Sequence, residues 1–111
     1  MTSRGRWIGL ALLVAAAQAF PALQAAAQEG QVEEGKKLFI SQGCYGCHMI
    51  GAVGTSAIGP DLSHVGSRYT PEYLVRWLRD PVSQKPTAHM PRITLTELEV
   101  QALAAYLASL R

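Results

Sequence analysis

The stretch Cys44-Tyr45-Gly46-Cys47-His48 decides how this chain reads. It has the form C-x-x-C-H, the spacing of a covalent haem attachment site. Two thiols three positions apart can meet two vinyl groups on one edge of a porphyrin and close two thioethers. The histidine that follows is then held beneath the iron, where an imidazole nitrogen can ligate it. Cys44 and Cys47 are the only cysteines in the chain. A redox dithiol of the thioredoxin kind would sit near a β-α-β pattern, and no such strands are legible here. Structural zinc wants four ligands, usually more Cys or paired His, and only His64 and His89 remain, at irregular spacing. A plain structural disulfide is the last alternative.

Upstream of the motif, Arg4 and Arg6 form a positive region and Trp7–Ala17 an apolar one, and Ala25-Ala26-Ala27 fits the small-residue cleavage rule. Residues 1–27 are therefore expected to be a signal peptide, and residues 28–111 the mature domain. Cleavage after Ala19 is a second option. The alternative is an uncleaved anchor. Trp7–Ala27 is long enough to span a bilayer, but Gln18, Pro21 and Gln24 interrupt it. Export to the periplasm agrees with haem attachment, because bacterial thioether-forming machinery works on the outer side of the inner membrane.

The leader also carries two of the ten Lys and Arg residues, which leaves eight basic against eight acidic residues in the mature part. The formal charge of +2 thus belongs to the leader. There is no basic footprint for nucleic acid. A chain of 111 residues holds one domain, and so short a domain builds a limited core of its own. A buried porphyrin would supply apolar surface for the chain to wrap.

The periodicity predicts three main helices. Glu29–Ser41 places Val32, Gly35 and Phe39 on one face, with acids early and Lys36 and Lys37 later. Gly43 is a helix stop. Thr70-Pro71-Glu72 starts a second helix as cap, proline and first-turn acid. Leu74, Trp77 and Leu78 should point inward, and Asp80-Pro81 should end it. Thr96 with Glu99 forms a capping box, with Leu95 and Val100 as the hydrophobic staple. Val100, Leu103, Tyr106, Leu107 and Leu110 then make one apolar face. Gly35 costs helix stability, so it should mark a close crossing of the first and last helices, with Phe39 and Tyr106 in the contact. Residues 49–69 and 81–94 read as loops, without a convincing strand. The fold class is all-α, with long loops that need something to pack on.

An iron ligated by His48 needs a second axial group or an open site. Met49 follows His48 directly and cannot reach the opposite face. His64 sits in a glycine-flanked loop. Met90 lies between Pro86 and Pro91, far enough along the chain to cross a porphyrin. Met/His ligation raises the potential, and stiff prolines reduce the entropy lost on ligation. Met90 is the favoured ligand and His89 its main rival.

With these residues in place, the chain resembles class I c-type cytochromes, in particular the cytochrome c domains fused to subunit II of some bacterial terminal oxidases. The resemblance rests on CYGCH at 44–48, GPDL at 59–62 and Met90-Pro91. It implies a small cytochrome c fold around one covalently bound haem c, with Cys44 and Cys47 as attachment points and His48 and Met90 as axial ligands. It further implies that the Pro60 carbonyl accepts a hydrogen bond from His48, and that Arg68 and Trp77 lie at the haem propionates.

The expected function is electron transfer between redox proteins, a dehydrogenase or reductase donor and a terminal oxidase or other acceptor, with iron cycling between Fe(III) and Fe(II). No catalytic residue is expected. Docking is expected around Tyr45, Met49, Ile50, Ala52 and Val53, with Lys85 nearby. Membrane contact is expected only if the leader is retained. An electron-accepting subunit of a periplasmic oxidoreductase is the main alternative. A haem peroxidase or gas sensor with an open distal site is a further one.

Overall fold

A computed structural model describes the backbone of residues 4–111 and the side chains from residue 20 onward. Residues 1–3, and the side chains of the positive and apolar regions of the expected leader, lie outside the described residues.

The first helix, α1 (Arg4–Ser41), is much longer than the expected Glu29–Ser41. Ala22–Gln28 consists of strong helix formers, which carry the helix upstream. Pro21 is accommodated inside it, at the loss of one helical hydrogen bond. Residues 20–31 are all exposed, and packing begins only at Val32. At the other end the helix stops at Gly43, whose φ of 74° is left-handed. Among the described residues no helix is long and apolar enough to cross a membrane.

After α1 a 3-10 turn (Cys44–Gly46) leads into a hairpin of β1 (Met49–Ile50) and β2 (Val53–Gly54), paired Met49 with Gly54 and Ile50 with Val53. The sequence had read this region as loop. Two residues per strand are too few to show alternation, so the hairpin left no pattern to read. A second 3-10 turn (Val65–Ser67) precedes α2 (Pro71–Arg79). Thr70 caps α2 by accepting from the Tyr73 N–H at 3.2 Å. A fourth, one-turn helix, α3 (Pro81–Gln84), occupies the start of the segment expected to be loop. Pro81 breaks α2 and then serves as the first residue of α3.

The last helix, α4 (Glu97–Ser109), carries the full capping box. Thr96 Oγ1 accepts from the Glu99 N–H at 3.3 Å, and Glu99 accepts from the Thr96 N–H at 2.7 Å. Its inner face crosses α1 at Gly35. A Cβ there would lie 2.1 Å from the Ala102 carbonyl oxygen and 2.6 Å from Tyr106 Cβ. Phe39 and Tyr106 meet edge to face, with centroids 6.4 Å apart, an arrangement that suits the ring quadrupoles. Leu38, Leu74, Val75, Leu78, Val100 and Leu103 complete the centre of the core. Trp77 is only half-buried, at the edge of α2 rather than in this core. The result is an all-α fold whose two terminal helices cross, with the 44–62 and 85–95 segments lying outside the α-helices.

Candidate functional site

The C-x-x-C-H motif begins where α1 ends. Gly43 turns the chain, and the Cys44–Gly46 3-10 turn folds it back, with the Cys47 and His48 N–H groups both donating to the Cys44 carbonyl at 3.1 and 2.9 Å. Both thiols are free and half-buried. Burial pushes the Cys44 thiol above its ordinary pKa, its own backbone hydrogen bond works the other way, and nearby Cys47 adds to the rise.

His48 is held by a segment hung on the backbone of the motif. Thr55 donates to the Tyr45 carbonyl at 3.2 Å, Gly59 to the Cys47 carbonyl at 2.8 Å, and Leu62 to the Met49 carbonyl at 2.8 Å. These bonds bring the Pro60 carbonyl to 2.8 Å from His48 Nδ1. A carbonyl only accepts, so Nδ1 carries the proton and Nε2 keeps its lone pair for a metal. Asp61 anchors the same loop. Its carboxylate accepts from the Ser63 hydroxyl at 2.6 Å and the Ser63 N–H at 2.8 Å, and these bonds hold it below the usual carboxylate pKa. The Ser63 oxygen in turn accepts from the Gly51 N–H at 2.8 Å.

Gly59 is a site residue that the sequence reading did not single out. A Cβ there would lie 2.5 Å from His48 Cε1 and 2.7 Å from Nδ1. The imidazole rests directly on this glycine. The signal was present in GPDL, but only once the ring's position is known does the missing side chain acquire a purpose.

Met90 lies between α3 and α4, partly buried against the core. Its sulfur takes a hydrogen bond from Trp77 Nε1 at 3.1 Å. Arg68 is exposed, just beyond the second 3-10 turn, and His64 and His89 are exposed as well. Tyr45, Ala52, Val53 and Lys85 are exposed, whereas Met49 and Ile50 are half-buried, and Ile50 packs on the core. Ile58, absent from the expected docking set, is the most exposed apolar residue of this region, at 78%.

This donor set suits haem c: two free thiols at vinyl spacing, an imidazole with its lone pair fixed on Nε2, and a thioether on a separate loop. Among the described residues, no three His, Cys, Asp or Glu side chains gather as an alternative metal site.

Comparison with known proteins points the same way. The family model described as Cytochrome c matches residues 32–111. The chain is 36% identical over 92 residues to cytochrome c oxidase subunit 2 of Alkalihalophilus pseudofirmus, a match covering 75% of this chain and 27% of that protein. The chain therefore spans about a quarter of the length of that relative. No solved structure matches significantly. With the family model covering everything from the packed part of α1 to the C-terminal residue, the chain belongs to the cytochrome c family of haem-binding electron-transfer proteins.

Proposed function

We propose that this chain is a monohaem c-type cytochrome that accepts and passes on single electrons with His48 and Met90 as axial ligands. The observation that carries this reading is the His48–Pro60 contact directly behind the paired thiols. It fixes the tautomer and the plane of the one imidazole that the motif brings to the site. When bound, the haem supplies reversible one-electron chemistry between Fe(III) and Fe(II). Cys44 and Cys47 would tether it, and His48 Nε2 and the Met90 sulfur would hold its iron. Held by both residues, the group would have no place for substrate on its metal and would supply electron transfer with little reorganisation. The exposed apolar residues Tyr45, Val53 and Ile58 offer a contact surface on the motif and the segment that follows it, and brief redox encounters use small surfaces.

The expected leader supports the periplasm as the site of action. Cleavage after Ala27 would release residues 28–111 into the periplasm, where respiratory donors and acceptors are reached. A specific second reading comes from the relative being an oxidase subunit. On that reading the chain is an electron-accepting subunit of a larger complex, and stable co-purification with a partner would select it over a diffusing carrier.

The test is an absorption spectrum of the matured protein, oxidised and reduced, beside Met90→Ala. A weak long-wavelength Fe(III)–thioether band that Met90→Ala abolishes is the expected result. A high-spin wild type whose reduced form binds carbon monoxide readily would overturn the ligation and the carrier reading together.

A further inference from the structure

We infer that Asp80 and Arg92 are positioning residues for Met90. Their ion pair latches the 89–95 segment to the end of α2 and sets how readily an outside ligand takes the place of the Met90 sulfur. This rests on Met90 as an axial ligand and goes beyond it. Arg92 Nη2 donates to Asp80 Oδ2 at 2.5 Å.

Little else holds this stretch. Among the described residues, none of 89–95 gives or takes a backbone–backbone hydrogen bond. Met90 and Leu95 pack partly against the core, and the Met90 sulfur accepts from Trp77. Beyond Met90, the bond from Arg92 to Asp80 is the segment's one polar tie among the described residues.

Both ends of the pair are anchored. Asp80 joins α2 to α3. Its N–H donates to the Arg76 carbonyl at 3.2 Å, and its carbonyl accepts from the Ser83 hydroxyl at 2.7 Å. Its carboxylate makes no cap to α3, so it is left for Arg92. At the other end, Pro91 separates Arg92 from Met90. The proline ring fixes its own φ and restricts the residue before it, so a hold on Arg92 is passed to Met90. A second ion pair gives an internal contrast. Arg79 pairs with Glu97 and ties α2 to α4 without touching the segment around Met90.

The Arg92 side chain is 67% exposed and that of Asp80 36%, so the pair adds little to the stability of the whole fold. Opening one segment costs far less than unfolding the molecule, and the pair is lost completely in that opening. The same small contribution is therefore a large part of what resists release of the sulfur. A closed segment keeps the chain a carrier of electrons rather than a binder of small ligands.

The experiment mixes the oxidised holoprotein with saturating imidazole and follows loss of the Fe(III)–thioether band. An imidazole nitrogen replaces the Met90 sulfur, and no electron or proton is transferred. At saturation the rate is that of sulfur release. Asp80→Asn and Arg92→Gln should each raise it about fivefold, the factor that an exposed ion pair can supply. The double variant should be no faster than either single one, because both remove the same interaction. Arg79→Gln should leave the rate unchanged. Raising salt from about 0.01 M to about 1 M should speed the wild type and leave Asp80→Asn unmoved, and the wild-type series stands alone if the variants do not fold. Unchanged rates in both single variants, multiplied effects in the double, an equal rise in Arg79→Gln, or a wild-type rate indifferent to salt overturns the proposal. Absence of the thioether band before imidazole is added strikes the ligation by Met90 instead, so the two failures are told apart.

Discussion

His48 sits between two neighbours that act in different ways. Pro60 accepts its Nδ1 proton, and Gly59 leaves room for its ring. The second role predicts a sharp result for a small change. Gly59→Ala puts a Cβ 2.5 Å from His48 Cε1, so the ring or the 55–62 loop must move. Because the Gly59 N–H is bonded to the Cys47 carbonyl, movement also disturbs the turn that presents both thiols. The yield of covalent haem per protein, read as the Soret-to-280 nm ratio after co-expression with maturation machinery, should fall severalfold. Gly30→Ala, with nothing within 4 Å of its added Cβ, should leave that ratio unchanged. An unchanged ratio in both variants would remove Gly59 from the site. Cys44, Cys47 and His48 were legible because attachment chemistry demands that spacing. Gly59 and the Trp77–Met90 pair were not, since each has meaning only through a partner 11 or 13 positions away in the chain.

The helices announce themselves by their ends. Thr70-Pro71 and Thr96 with Glu99 were readable because a cap is a local device, complete within four residues, and both occur where expected. The β1–β2 hairpin and α3 were not, because two- and four-residue elements have no period to detect and are held by hydrogen bonds to the motif and by the break at Pro81. Thr96→Ala removes one half of the α4 box and should cost about 1 kcal/mol, visible as a lower urea midpoint with an unchanged slope. The first turn of α4 also predicts an acid response. Glu97 is held below the ordinary carboxylate pKa, first by its hydrogen bond from Arg79 and then by that from Gln101. A group depressed in the folded state adds stability above its unfolded pKa and loses it as pH falls through the folded value. Wild type should therefore lose slightly more stability than Glu97→Gln as pH falls from neutral through the acid range. The difference should be small, since both Glu97 and Arg79 are about half exposed. Parallel denaturant-midpoint curves for the two proteins would show that the pair plays no part in acid stability.

At the scale of the whole molecule, the long α1 divides into a part that packs and a part that does not. Gly35, Leu38 and Phe39 are buried against α4, whereas residues 20–31 are exposed throughout, including Phe20 at 71% and Leu23 at 69%. The family match likewise begins at residue 32. Composition led to the expectation of a leader followed by a domain, but not to one helix running through the expected boundary, because cleavage signals and helix propensity are read independently of each other. Removing residues 1–27 would start the chain within this helix, and Glu29 would then fall in its new first turn, where a negative charge offsets the positive end of the dipole. The matured 28–111 protein should show the same oxidised and reduced spectra as the full chain. Its thermal midpoint should shift by less than about 4 °C, the effect of roughly 1 kcal/mol in a domain of this size. Intact mass of the exported protein decides the same question in the cell. A mass starting at Gln28 in the soluble periplasmic fraction fits a released carrier. A full-length mass in the membrane fraction would mean that Trp7–Ala27 stays as an anchor, and electron transfer would then be confined to partners at the outer face of that membrane.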